Sequence, residues 1–161
     1  MTTGSAPVAR RPNFPSGYGI PTTEEGTLPW TWAVERLERS RNYWIVTAKA
    51  DGMPHAAPVW GVWLDNAVVF GTSADSRKGR NLARDPRVVV HLESGNEVVI
   101  VEGEAEELPL DDRLADAYGA KYQYRPTPGN PEGLWLRVRP RVAYSWLESD
   151  YPRTATRFSF G

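Results

Sequence analysis

Two dipeptides, Asp51-Gly52 and Asp65-Asn66, do most to limit what this chain can fold into. Asp-Gly between alternating runs is a hairpin signal, because a tight turn that matches strand twist needs positive φ at its centre. Both dipeptides are flanked by runs of strand character: residues 43–49, residues 54–64 (PHAAPVWGVWL) and residues 67–73. Three such strands joined by two-residue turns form a meander. Pro58 has no N–H to give to a ladder, so the second run is expected at an edge or a bulge.

The stretch from the third run into the next helix is the one around which the rest of the chain is organised. Val68, Val69 and Phe70 form a buried strand core, and the strand ends in the small residues Gly71, Thr72 and Ser73. Ser76 has the character of an N-cap, and Arg77-Lys78-Gly79-Arg80-Asn81-Leu82 has that of the first turns of a short helix. Three cations crowd the helix N-terminus, the end that already carries about half a positive charge. An anion among them, a phosphate above all, would gain from free N–H groups, dipole and side chains together. Small strand-end residues would let it come close to the backbone. A solvated basic helix is the other reading of the same charges.

The remaining elements keep the same alternation. Asp85-Pro86 stops the helix. Residues 87–93 are a fourth strand, Ser94-Gly95-Asn96 a turn, and residues 97–108 a fifth strand. Pro109, Asp111 and Asp112 open a helix with Leu110, Leu114, Ala117 and Tyr118 on its apolar face, and first-turn acids suit the dipole. A Pro- and Gly-rich loop over 125–133 leads to a last long strand, 134–147, which Pro140 should break or bulge. Upstream, Pro29 opens an amphipathic helix over 29–41, with Trp30, Ala33, Val34 and Leu37 on one face. The fold class is therefore mainly β: six antiparallel strands with few helices, closed or partly closed into a barrel that removes exposed edges.

Residues 1–28 are rich in Pro, Gly, Ser and Thr and are set apart as an N-terminal arm, disordered at its front; residues 29–161 form one domain. Phe14, Tyr18 and Ile20 give the later arm something to pack with, on its own domain or on a second subunit. A tail with scattered aromatics is the alternative. The net charge of −1 gives nucleic acid no electrostatic footprint, and no apolar run approaches membrane-spanning length. With no cysteine and no apolar core after Arg10-Arg11, the cytosol is the expected compartment.

Several chemistries are missing. There is no nucleophile elbow, no Walker loop and no dinucleotide fingerprint. His55 and His91 lie on different strands without metal-ligand spacing, so no metal is expected. The acidic run 104–107 is most simply a solvated strand end. No catalytic acid, base or nucleophile stands out. Such a chain suits chemistry carried by a cofactor, or a binding protein with no chemistry at all.

The segment 70-FGTSADSRKGRNLARDPRV-88 resembles the phosphate-binding segment of the pyridoxamine 5'-phosphate oxidase-like, flavin-binding split-barrel family. The order around it is similar too: a DG hairpin, a strand with 57-APVW-60, this segment, VVVHLE, a strand ending in 103-GEAEEL-108, and a closing 153-RTATRF-158. The likeness spans roughly residues 29–161. It implies a six-stranded split barrel of FMN-binding type that works as a homodimer on a small-molecule substrate. It also implies that Arg77 and Lys78 grip a cofactor phosphate, that Thr72, Ser73 and Ser76 hydrogen-bond to it, and that Asn81 supports the loop. Ala57, Pro58, Val59 and Trp60 would line the cofactor ring with backbone and apolar surface. Trp146 and Arg157 would reach the cofactor held by the other subunit.

Two departures refine this. Oxidases proper close with an Arg-x-His pair, whereas Arg153 is followed by Thr154 and Ala155. Their basic motif on the second strand is here Ala57-Pro58-Val59-Trp60. With its GYGIP arm, the chain looks more like the actinobacterial branch, many of whose members use the deazaflavin coenzyme F-420. The expected activity is therefore hydride transfer from F-420 to a small unsaturated organic substrate. FMN is the alternative cofactor, and a non-catalytic flavin- or haem-binding barrel the alternative function.

Overall fold

A computed structural model describes residues 6–131 and 133–161. Its strands are β1 (Val8–Arg10), β2 (Tyr43–Ala48), β3 (Pro54–Val59), β4 (Val62–Leu64), β5 (Ala67–Thr72), β6 (Arg87–His91), β7 (Glu97–Glu107), β8 (Leu134–Leu147) and β9 (Thr156–Ser159). Its helices are α1 (Trp30–Arg39), α2 (Arg77–Arg84), α3 (Asp112–Tyr122) and α4 (Tyr151–Thr154). The fold is mainly β and every strand pair is antiparallel, as expected.

One path runs β1-β9-β8-β7-β6-β2-β3, while β5 leaves β8 and carries β4. The split lies in β8. Its first part pairs with β5 (Leu134 with Thr72, Val138 with Val68), and its later part pairs with β9 (Ala143 with Phe158). Between them Pro140 faces Gly103 and Val142 faces Glu102, so Arg141 is the extra residue of a bulge. Proline thus bends the strand where its missing N–H does least harm.

The expected second strand, 54–64, is two strands. β3 pairs with β2 and β4 with β5, and the chain turns between them at Trp60-Gly61. A Cβ on Gly61 would lie 2.8 Å from the carbonyl oxygen of Val69, so only glycine fits this corner. Pro58 sits on β3, an edge strand, as its chemistry requires. Asp65 and Asn66 both take positive φ, 52° and 58°, the conformation of a tight hairpin turn. Within the arm, Val8–Arg10 pairs with β9. Residues 1–5, at the front expected to be disordered, lie outside the described residues.

Inside the barrel, Tyr43, Ile45, Val68, Phe70, Val90, Val101, Val138 and Phe158 form the core, with Ala33 and Leu37 of α1 packed against them. Trp30 holds α1 down between Phe158, Phe160 and Trp63, at centroid distances of 5.1, 4.9 and 6.1 Å. A second cluster, Val62, Val69, Leu114, Tyr118, Tyr122 and Trp135, packs α3 on β4 and β5. Ala115 rather than Ala117 is the buried alanine of α3.

Candidate functional site

Between β5 and α2 the chain makes a compact loop from its own polar groups. Ser76 is extended (φ −66°, ψ 158°) and its Oγ accepts from Gly79 N at 3.0 Å, the N-cap expected of it. Thr72 Oγ1 and Ser76 Oγ are hydrogen-bonded at 3.0 Å. Asp75 N donates to Ser73 Oγ at 3.2 Å, and Ser76 N donates to the Ser73 carbonyl at 3.0 Å. Arg80 reaches back to the Asp75 carbonyl. The loop lies so close to the first helical turn that a Cβ on Gly79 would stand 2.4 Å from the Ser73 carbonyl oxygen. The space at Gly71 has another use: its Cβ would meet the Trp135 ring at 3.0 Å, so that glycine makes room for an indole and not for a ligand.

Asn81, 5% exposed, donates from Nδ2 to Thr47 Oγ1 at 2.9 Å, and Arg84 donates to the Ala48 carbonyl. These bonds tie α2 to the end of β2 and fix where its N-terminus points. There the charges are uncompensated. Among the described residues seven arginines pair with a carboxylate, as in Arg36 with Glu97, Arg87 with Asp85 and Arg141 with Glu104. Among the described residues, neither Arg77 nor Lys78 makes an ion pair or a side-chain hydrogen bond, and the first turn holds no acid. Asp75, exposed in the loop, makes no ion pair either. Two adjacent free cations, a serine hydroxyl and the open N–H groups of a helix start make a donor set suited to a phosphate dianion.

Thr47 and Ala48 also line a groove of about 540 Å³ on the outside of β2, β6, β7 and β8. Its floor is apolar (Val46, Pro54, Val89, Val142), and Arg87, Glu102, Glu104 and Arg141 add charge. Register decides what β3 offers here. Ala57 faces Ile45 and Val59 faces Tyr43, both inside the barrel, whereas Pro58 faces Trp44 on the outer side. Of the run 57–60, Pro58 gives this face its side chain, and Ala57 and Val59 give it only backbone. Trp60 lies at the corner, stacked on Tyr122 (4.6 Å, 6°), with the Arg41 guanidinium 5.3 Å from its ring centroid.

Trp146 and Arg157 are elsewhere. Trp146 pairs with Val98 near the far end of β8, and Arg157 lies between Tyr144 and Arg10. From Leu134, the partner of Thr72, to Trp146 the strand runs twelve residues and bends at the Arg141 bulge, a path along the chain of under about 40 Å at about 3.3 Å each. A single chain brings Thr72, Ser73, Ser76, Arg77, Lys78 and Asn81 together and leaves Trp146 and Arg157 outside that group.

The corner holds a polar cluster that sequence reasoning missed. Lys121 Nζ donates to Tyr43 Oη at 2.8 Å and to the Gly61 carbonyl at 2.9 Å. Tyr122 Oη accepts from Gly61 N at 2.9 Å. Burial pushes the Lys121 ammonium down to about 8 and the Tyr43 phenol upward. Nothing local signals this, because its members come from three elements. His55 lies on the barrel side of β3, its Nδ1 buried without a partner, and His91 stacks on Trp44 at 6.1 Å. Among the described residues no group of acids and histidines is placed to hold a metal.

The pyridoxamine 5'-phosphate oxidase family profile matches residues 32–147, the span that carries both loop and groove. The chain belongs to this family. It is 35% identical over 101 residues to a pyridoxine/pyridoxamine 5'-phosphate oxidase of Pseudomonas paraeruginosa, a match covering 61% of this chain and 44% of that protein. The chain thus spans under half the length of that relative. Among solved structures, a conserved hypothetical protein of Mycobacterium tuberculosis has the same fold, with a TM-score of 0.64 at 24% identity over 83% of this chain and 90% of that one. An F420 reductase superposes with a TM-score of 0.55 at 21% identity, over 68% and 93%. The family's split barrel is therefore the frame on which the loop, groove and corner are built. No helix of the described residues is long and apolar enough to cross a membrane.

Proposed function

We propose that this family member binds the deazaflavin coenzyme F-420, with FMN as the alternative, and passes hydride to a small unsaturated organic substrate in the cytosol. The observation that carries the reading is the pair of uncompensated cations, Arg77 and Lys78, at the capped start of α2, a helix whose Asn81 and Arg84 bond to Thr47 and Ala48 of the groove. Either coenzyme brings a phosphate that this donor set fits, and its ring supplies the hydride chemistry when bound. The chain's own share is to hold the phosphate, to offer Pro58 and the backbone of β3 as a flat apolar support, and to exclude water from the groove. Vitamin B6 oxidation is not favoured. Arg153, where the oxidases begin their Arg-x-His pair, is engaged with Asp150 at 2.6 Å and has no histidine after it. Likeness to an F420 reductase and the uncharged 57–60 run support the deazaflavin.

The reading makes the site the work of two subunits. The outer sheet face carries Trp44, Val46, Val89, Ile100 and Val142, and Trp146 on β8 and Arg157 on β9 make no contact with the phosphate loop of their own chain. A homodimer that pairs these faces would deliver them to the partner's loop.

The test is a paired equilibrium titration of apo-protein with F-420 and with FMN, followed by ligand fluorescence, on wild type and Lys78→Ala. F-420 is expected to bind more tightly. Losing one charge-assisted contact of about 1.5–3 kcal/mol should weaken it roughly 10- to 100-fold in the variant. Unchanged affinity in Lys78→Ala overturns the phosphate assignment. Binding of neither coenzyme moves the haem-binding or non-catalytic barrel ahead.

A further inference from the structure

The arm is fastened by one residue. Arg11 Nε donates to the Thr23 carbonyl at 2.7 Å, its Nη1 to the carbonyls of Arg153 and Ala155 at 2.5 and 3.1 Å, and its Nη2 to the Glu25 carbonyl. A guanidinium shared among four carbonyls closes the arm into a loop and pins that loop to α4 and the start of β9. The return of the loop is just as tight, since a Cβ on Gly26 (φ +86°) would lie 2.6 Å from Arg153 Cγ. β1 adds a ladder to β9 on the other side of Arg11.

The loop so held carries a chain of rings. Tyr18 lies 5.5 Å from Phe14, Phe14 is edge-on to Tyr151 at 6.1 Å, and Tyr151 is edge-on to Trp146 at 5.6 Å. Its outer members remain open, with Phe14 38% and Tyr18 55% exposed. Firm anchoring of exposed aromatic rings is not what packing alone asks for. The points that hold the ring-bearing loop (Arg153, Ala155, Tyr151) lie at the Trp146 end of β8, twelve residues along the strand from the partner of Thr72.

We infer that the arm acts in trans: anchored beside Trp146, it covers the cofactor site built on the partner subunit's phosphate loop, and gives a flat, apolar substrate an aromatic wall of Phe14 and Tyr18. This rests on the coenzyme reading and on the two-subunit site. Wherever Trp146 goes on dimerisation, Phe14 and Tyr18 go with it through Tyr151. Flat rings on such a wall stack on conjugated molecules.

Mixed dimers decide it. Two differently tagged chains are combined, one bearing Lys78→Ala, the other Phe14→Ala and Tyr18→Ala. The readout is iodide quenching of the fluorescence of bound F-420 or FMN, whichever binds. In the Phe14→Ala/Tyr18→Ala homodimer the coenzyme should still bind and its quenching should rise several-fold. The mixed dimer keeps one intact phosphate loop, on the chain with the altered arm. If the arm acts in trans, the single bound coenzyme is covered by the unaltered arm and is shielded as in wild type. Raised quenching in the mixed dimer means the arm acts in cis and overturns the inference. Wild-type shielding in the homodimer with altered arms, or a monomeric wild type, overturns it too. Failure of the coenzyme reading shows separately, as undiminished binding by the Lys78→Ala homodimer. Both altered rings are exposed, so circular dichroism should be unchanged.

Discussion

Lys121 holds an ammonium where burial disfavours charge, with two oxygen acceptors and the faces of Tyr43 and Tyr122 but no carboxylate bonded to it. Its pKa is pushed down to about 8 by that burial. Below about 8 both folded and unfolded chains hold the proton, and folding bears the full cost of burying the charge. Between about 8 and the ordinary lysine value near 10.4, the unfolded chain binds more protons, so stability rises with pH. Above about 10 the tyrosines reverse this: burial raises Tyr43 and Tyr122 and lifts Tyr118 to about 12, so the unfolded phenols ionise first and stability falls. Lys121 is only half buried, so solvent screening cuts the gain to on the order of 1 kcal/mol. Urea midpoints at pH 7.5 and 9.5 should rise in wild type relative to Lys121→Met, which keeps the aliphatic stem and leaves the Gly61 carbonyl with Tyr122. Parallel profiles for the two proteins would show that Lys121 is not the titrating group.

The loop before α2 is an element in which almost every residue is committed, and Gly79 is its tightest point. An added methyl would meet two carbonyl oxygens, at 2.4 and 2.8 Å, that belong to backbone and cannot swing aside. Gly79→Ala should therefore cost about 1–3 kcal/mol, as overpacking does, and should weaken coenzyme binding because the displaced residues Ser73 and Ala74 belong to the phosphate loop. Gly95→Ala is the matched control, with nothing within 4 Å of the new methyl; it should stay within about 0.5 kcal/mol of wild type. Thermal unfolding with and without coenzyme measures both. This element was also the most legible part of the chain. Ser76, the cations and the Asp85-Pro86 stop are local signals, and strand, cap and helix fell where local chemistry put them. What escaped was non-local. Nothing in residues 54–64 shows that Gly61 must turn a corner, because the reason is the carbonyl of Val69 on another strand. Val8–Arg10 forms a strand only because β9 offers it an edge. Lys121 and Tyr43 are read separately as a helix end and a strand start until the fold joins them.

At the scale of the whole molecule, the barrel leaves one broad sheet face uncovered by its own helices. α1 packs on the barrel core and α3 lies on β4 and β5, while Trp44, Val46, Val89 and Val142 look outward across β2, β6, β7 and β8. The Asn81–Thr47 bond ties α2 to the end of β2 from the barrel side, and Trp146 stands near the far end of β8. A two-fold axis through the face would bring each loop to the opposite Trp146 and bury the apolar surface in the same step. One substitution separates these consequences from simple loss of fold. Val89 is half-buried, projects outward opposite Glu102 on the floor of the groove, and makes no hydrogen bond to the loop or α2. Val89→Glu places a like charge directly across from Glu102 and would leave both unpaired in a closed interface. Sedimentation should find wild type as a dimer and Val89→Glu as a monomer with an unchanged circular dichroism spectrum. Its affinity for coenzyme should fall at least about tenfold, a loss of about 1.4 kcal/mol, although Arg77, Lys78 and Ser76 are all intact. A monomeric Val89→Glu that binds coenzyme as tightly as wild type would mean that each chain carries a complete site, and that Trp146 and Arg157 have no part in it.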